Sequence, residues 1–300
     1  MTMPNRLAVL AMLALLAGAA HAGDAPSPRP PDYRPVDPEN LVLMDVAYGR
    51  VALELAPDFA PNAVARFKTL VRAHFYDGLS FYRVIDGFVA QGGVGEGTAA
   101  TGGYSPPEVE KLYPPLKREF DAPFARIEDT FTPLGNRDLF APQVGHVDGF
   151  PVGRDAKEKR MWIVHCPGTL AFARDNAPDT ATTEFYIVIG EAPRRLDRNL
   201  TAFGRVIDGL QYVQKLTRGD PEVDNGVIQD KSKADKILKV QIAADLPAAA
   251  QPHYQVMRTG GPAFAAWKHG RKNPAPGFYL RTPPPILDIC LALPPVKKTD

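Results

Sequence analysis

Arg83 sits where chemistry is easiest to imagine. It belongs to Phe81-Tyr82-Arg83-Val84-Ile85-Asp86-Gly87-Phe88-Val89-Ala90-Gln91-Gly92-Gly93, in which alternating apolar residues flank an Asp-Gly turn and the run closes on two glycines. This pattern reads as a hairpin. On its second arm Phe88 and Ala90 share one face, and Val89 and Gln91 share the other. An unpaired guanidinium among apolar neighbours is costly, so one reading is a structural ion pair. The other is a donor aimed into an apolar slot, because arginine keeps its charge and presents a rigid fork of N–H groups. Other candidate chemistry is thinner. His146, His165 and Cys166 match no common zinc spacing and lack a fourth ligand, so no metal and no cofactor is expected. Ser80 and Ser105 have no recognisable base or nucleophile elbow around them. Gly93-Val94-Gly95-Glu96-Gly97 has no following helix or lysine to serve a phosphate, and reads as a turning loop that lines a ligand site.

The elements around Arg83 are mostly short strands. Leu41 to Val46 and Arg50 to Leu55 flank a Tyr48-Gly49 turn, and Pro61 opens a helix with Val64, Phe67, Leu70 and Val71 at helical spacing. Further strands are expected at Met161 to Val164, Thr169 to Ala173, Thr183 to Ile189, Asn199 to Val206 and Ile237 to Ile242. A short helix is expected at Asp208 to Leu216. Many strands with two helices imply a mainly β chain built on a closed antiparallel barrel. Tyr104 to Lys159, crowded with prolines, reads as a long irregular insertion of the kind that carries partner recognition.

Composition narrows the function. The chain has 300 residues, 45% of them apolar, and a net charge of +1, so it can bury one core and has no basic face for nucleic acid. Arg6, the apolar stretch Leu7 to Ala17 and Ala20-His21-Ala22 read as a signal peptide over 1–22, cleaved after Ala22. The stretch is too short to span a bilayer comfortably, so the mature protein is expected free of the membrane, exported to the periplasm and monomeric. Residues 23–40 read as a proline-rich linker, with order beginning near Leu41, and 248–300 as a proline-rich C-terminal extension. Cys166 and Cys290 are the only cysteines. Export favours a disulfide between them, closing a loop of roughly 120 residues and contributing about 4 to 5 kcal/mol in the chain-entropy picture. Two buried free thiols are the alternative.

The Arg83 motif resembles the heart of the cyclophilin family of peptidyl-prolyl isomerases. Phe75-Tyr76-Asp77-Gly78 precedes it, and Gly168-Thr169-Leu170-Ala171-Phe172-Ala173-Arg174, Phe185-Tyr186-Ile187 and Phe203-Gly204-Arg205-Val206 follow in family order. The resemblance covers roughly 41–247, with the insertion at about 104–160. It implies an eight-stranded closed antiparallel barrel capped by two helices. Gly145-His146-Val147-Asp148-Gly149-Phe150-Pro151 and Trp162 through Cys166 look similar to exported bacterial cyclophilins and to large cyclophilins of the plant thylakoid lumen.

The family task is rotation about an X-Pro amide, and the implied partners are proline-containing polypeptides. By resemblance Arg83 is the catalytic donor and Gln91 its brace. Phe88, Val89, Tyr186, Leu196 and Leu200 hold the prolyl ring, and Ala173 and Arg174 offer backbone to the substrate. Glu184, also placed in the substrate site, stands where many members have glutamine, and its carboxylate is expected to pair with Arg83. Arg195 replaces a tryptophan wall and Leu200 a histidine. A rate that depends on arginine alone is expected to be flat from about pH 6 to 9. The alternative is a scaffold of the same shape that binds prolyl peptides without accelerating their rotation.

Overall fold

The computed structural model describes residues 32–95, 107–127, 130–275, 277 and 279–299. The expected signal peptide, residues 23–31 of the expected linker, and Ser105 lie outside the described residues. A three-residue strand β1 (Tyr33–Pro35) comes first, followed by β2 (Leu41–Val46), β3 (Gly49–Leu55), α1 (Pro61–Arg72), β4 (Ser80–Val84) and β5 (Val89–Gly93). The next stretch holds α2 (Pro107–Leu112), β6 (Ala122–Pro123), α3 (Phe124–Ile127), β7 (Thr132–Pro133), β8 (Gln143–Val147), β9 (Phe150–Asp155) and β10 (Arg160–Ile163). Then come β11 (Thr169–Phe172), β12 (Phe185–Val188), β13 (Ala202–Asp208), α4 (Leu210–Val213), β14 (Ile237–Ile242), β15 (His253–Met257), α5 (Pro262–Lys272) and β16 (Val296–Thr299).

Eight strands form one antiparallel sheet in the order β14-β2-β3-β13-β11-β12-β5-β4. Its two edges meet. The Gly78 N–H donates to the Ile237 carbonyl at 2.8 Å, the Ile237 N–H to the Leu79 carbonyl at 2.8 Å, and the Phe81 N–H to the Asp235 carbonyl at 2.9 Å. Closure leaves these edge groups paired rather than open to another chain. Inside, alternate residues of the strands point at α1, whose Ala63, Val64, Phe67, Leu70 and Val71 are buried. Phe67 is the hub, with the rings of Tyr76, Phe172, Phe185 and Phe203 at 5.1 to 6.3 Å. Pro61 starts the helix, but Ala60 offers no side-chain cap. The Glu119 carboxylate, 57 residues from Asn62, supplies it by accepting the Asn62 and Ala63 N–H groups at 3.1 and 2.9 Å.

Two parts of the chain are more regular than their composition implies. The proline-rich stretch after β5 carries strands β6 to β9, which with β10 form a second antiparallel sheet in the order β6-β10-β9-β8-β7. Phe124, Ile127, Val147, Phe150, Val152, Met161 and Ile163 from this part pack on Val89, Ala171, Ala173, Tyr186, Val188 and Ala202, the barrel residues that point outward. The prolines hid this sheet because they interrupt the period of two by which a strand is recognised. The C-terminal extension does not trail. Its β15 and β16 form a third sheet with β1, in the order β1-β15-β16, and its Tyr254 and Val256 pack with Val36 on the outer face of β2 and β3.

Tyr33–Pro35 is therefore a strand and Pro38–Asn40 a helical turn, so the linker reading of 23–40 is corrected for these residues. Pro35 is tolerated because β1 is an edge strand. A buried ion cluster ties the three parts together. Glu54 of β3 accepts from Arg205 of β13 at 2.8 Å and pairs with Arg34 of β1 at 2.6 Å, while both arginines also bond the Asp148–Gly149 turn between β8 and β9. A disulfide joins Cys166 to Cys290, with Cα atoms 5.1 Å apart across a sequence separation of 124. Beside it, His146 is fully buried, with Nε2 on the Ala292 carbonyl at 2.8 Å and its ring edge-on to Phe264.

Cutting the bridge should free the C-terminal segment first. Cys290→Ser is expected to lower unfolding free energy by up to about 4 to 5 kcal/mol, measured by urea titration, with amide exchange accelerating across 286–292. An unchanged midpoint would mean that packing alone holds the segment.

Candidate active site

Hairpin β4–β5 delivers the first wall of the site. Val89 and Gln91 of β5 point outward beside Ala171, Ala173, Tyr186 and Val188, because the strands alternate and Ala90, Phe172, Phe185 and Ile187 fill the interior. Phe88 departs from the expected pairing with Ala90. It precedes the first residue of β5, so the alternation does not extend to it, and it lines the outer cavity instead. That cavity, of about 180 Å³, is bounded by Arg83, Phe88, Val89, Gln91, Ala173, Arg174, Tyr186, Leu196 and Leu200. Leu196 belongs to a single helical turn and Leu200 to the segment before β13. Arg195 is exposed and is not among the lining residues.

Arg83 is anchored at its stem and open at its tip. Its Nε donates to the Asn225 carbonyl at 2.8 Å, and Nη1 donates to Gln91 Oε1 at 3.1 Å. Asn225 was not legible beforehand, because it acts through its backbone, in a turn where its φ is +51°. Among the described residues no carboxylate pairs with Arg83, so its charge faces the cavity. The expected ion pair with Glu184 is therefore absent.

Glu184 reaches Arg83 through two other side chains. It is fully buried and accepts the Val94 N–H at 2.9 Å. The Tyr82 hydroxyl also acts on this carboxylate, and Gln91 Nε2 donates to that same hydroxyl. Every donor in the series Arg83, Gln91, Tyr82 thus points toward Glu184, and the charge at its end sets the direction of the Gln91 amide. Burial pushes the Glu184 carboxyl up to about 7, against the lowering effect of the Val94, Tyr82 and Thr183 hydrogen bonds. The second glycine of the pair is explained here: a Cβ on Gly93, whose φ is +148°, would lie 2.2 Å from the Glu184 carboxylate. Glu184 itself does not line the cavity.

The substrate-facing strand is partly committed. The Ala173 N–H is spent on the Glu184 carbonyl at 2.8 Å, so this residue has only its carbonyl to offer. The Arg174 guanidinium is held by the carbonyls of Asn199 and Asp175 and lies 5.5 Å from the ring centre of Phe120, an insertion residue. Of the other candidates, Cys166 is in the disulfide, and His165 is buried between Asp197 and Tyr186.

A closed eight-stranded barrel with an arginine set over an outward apolar cavity defines a class, and sequence comparison agrees. Residues 41–242 match the family described as cyclophilin type peptidyl-prolyl cis-trans isomerase/CLD, and the chain belongs to that family of isomerases. It is similar to the probable peptidyl-prolyl cis-trans isomerase of Brucella suis biovar 1, at 32% identity over 252 residues, covering 80% of this chain and 96% of that protein. Similarity to peptidyl-prolyl cis-trans isomerase B of Bacillus subtilis is 30% over 172 residues, or 57% of this chain and 85% of the relative. Among solved structures, cyclophilin AquaCyp293 from Hirschia baltica superposes with a TM-score of 0.67 at 30% identity, covering 89% of this chain and 93% of its own.

Glu184 places a titration inside the range where arginine alone would leave the rate flat. Its folded value lies above the ordinary 4.5, so the stability it lends is full below about 4.5 and lost as pH rises through about 7. Glu184→Gln should remove that slope and be the more stable protein at pH 8, by about 3 kcal/mol, in paired urea titrations. Its turnover should lack the inflection near pH 7 that the unsubstituted protein shows; identical profiles would dismiss the relay.

Proposed function

We propose that the cavity takes the prolyl ring of X-Pro segments in polypeptides and that Arg83 accelerates their cis-trans rotation. The observation that carries this reading is the arginine itself, fixed at Nε and Nη1, unpaired with acid among the described residues, and set at the rim of an apolar cavity. Rotation about an X-Pro amide meets a barrier of about 18 to 20 kcal/mol because resonance is lost in the twisted state. The prolyl nitrogen then becomes pyramidal and more basic. A guanidinium N–H aimed at that nitrogen binds the twisted amide better than either planar form, which is the condition for catalysis. Phe88, Val89, Tyr186, Leu196 and Leu200 hold the ring, and backbone at Ala173 and Arg174 orients the flanking peptide without reading side chains. No bond is made or broken, and the step calls for no cofactor.

The clients are proteins folding after export. The charged start at Arg6, the apolar Leu7 to Ala17 and the small residues at Ala20 and Ala22 support secretion, as does a disulfide suited to an oxidising compartment. Arg83→Ala should reduce kcat/KM on a proline tetrapeptide by roughly 100-fold, equivalent to about 3 kcal/mol. Equal rates for both proteins, with peptide binding retained, would assign the chain to the scaffold role. Mass spectrometry of the secreted protein should find Gly23 as its first residue; an intact Met1 on protein recovered from the membrane would refute export with cleavage.

A further inference from the structure

The floor of the cavity is polar on its hidden side. Tyr186 presents its ring to the cavity, but its hydroxyl points away from it, to His165 Nε2 at 2.9 Å. The two rings lie within 17° of parallel, so the phenol bond runs close to the plane of both. On its other side the His165 ring holds Nδ1 3.0 Å from Asp197 Oδ1, and the His165 backbone N–H donates to the same oxygen at 2.9 Å. The carboxylate can only accept, so Nδ1 carries a proton; in the neutral ring Nε2 is then the acceptor and the Tyr186 hydroxyl donates to it. Arg194 then donates to Asp197 Oδ2 at 2.7 Å and, through its two remaining nitrogens, to Asp138 of the insertion at 3.0 and 2.9 Å. The His165 side chain is 0% exposed, and those of Asp197, Arg194 and Asp138 are 5 to 7% exposed.

We propose that His165, backed by Asp197, is a positioning residue for the prolyl pocket: by holding the Tyr186 hydroxyl it sets the depth and tilt of the ring on which the substrate proline packs. This rests on the assignment of the cavity as the prolyl site. A phenylalanine there would be held by packing alone, whereas a buried tyrosine hydroxyl must keep a partner or lose the free energy of an unsatisfied group. The ring is therefore tethered at its far end, and the tether continues through Arg194 to the insertion. Packing around the cavity is dense enough that a shift of a few tenths of an ångström in the floor changes the fit of a small rigid ring. The same series explains why Arg194, two residues before Leu196 of the cavity wall, is buried although charged: both of its neighbouring carboxylates are satisfied by it.

The test is a cycle of Tyr186→Phe, His165→Leu and the double variant, read by kcat/KM and by the dissociation constant of a short Ala-Pro peptide. Each single change should weaken peptide binding and kcat/KM by about three- to tenfold, with kcat little altered. The double variant should be no worse than either single one, because with phenylalanine at 186 nothing remains for His165 to hold. Asp138→Asn should move both readouts the same way by a smaller factor. If His165→Leu costs the same factor with phenylalanine at 186 as with tyrosine, or moves only the urea midpoint, the residue is structural and the proposal falls. Should His165→Leu not fold, Tyr186→Phe still decides, since it removes one oxygen and keeps the ring; unchanged peptide affinity would overturn the tether. Failure of the site assignment is separate and would appear as undiminished turnover in Arg83→Ala.

Discussion

The barrel solves one problem and creates another. Closing the sheet between β4 and the residues before β14 pairs its edges and seals an aromatic interior around Phe67, yet the outward residues of β5, β11 and β12 are apolar as well. Val89, Ala171, Ala173, Tyr186 and Val188 would face water on a bare barrel. Most of the added chain answers that exposure: the insertion sheet covers one part of the outer face, and β15 with Val36 covers another. The cavity under Arg83 is the portion of this apolar surface left uncovered. Its lining residues come from the barrel strands and the segments that join them, so the cover frames the cavity without forming its walls.

Charge is handled differently at each boundary. Glu54 is placed between two arginines whose other N–H groups bond the Asp148 and Gly149 carbonyls, so the junction of barrel, insertion and N-terminal strand is held by a hydrogen-bonded ion cluster. Glu184 has no cation beside it among the described residues and relies on hydrogen bonds, and burial brings it close to its titration point at neutral pH. His146 shows the opposite response, being pushed down to about 3 by burial against the C-terminal segment. Its stabilising effect is complete above its ordinary 6.5 and fades as pH falls toward 3, whereas that of Glu184 fades as pH rises from 4.5 to 7. Between about 4.5 and 6.5 the two slopes oppose each other, which flattens the response of the whole molecule.

What could be read from sequence was what is local. Hairpin β4–β5, helix α1 and the strands around Ala173 and Tyr186 carry their period within a dozen residues, whereas the side chains lining the cavity, spread from Arg83 to Leu200, were legible only through the family resemblance. The groups that hold those side chains are far away along the chain. Glu119 caps α1 from 57 residues off, Asn225 steadies Arg83 from 142, and Asp138 reaches Arg194 from 56. Asn225 acts through a carbonyl that every residue possesses, so its identity carries no signal at all. Glu184 was recognisable as unusual, but the path from it to Arg83 runs through Tyr82 and Gln91, and only coordinates reveal that the intervening pair exists. Tyr33–Pro35 went unread as a strand because three residues are too few to show alternation and its partner lies in β15.

That last pairing has a kinetic meaning. Tyr33 lies opposite Met257, and Pro35 opposite Gln255. A chain that emerges from its amino end can seal the interior around Phe67 only once β14 has arrived, and it can cover the outer face of β2 and β3 only after β15 follows. Loop closure over such a separation is slow compared with hairpin formation, so this topology makes the outer coat the last part to be completed. A protein whose family rotates prolyl bonds for others carries 31 prolines of its own, many of them in the segments that arrive to complete its coat.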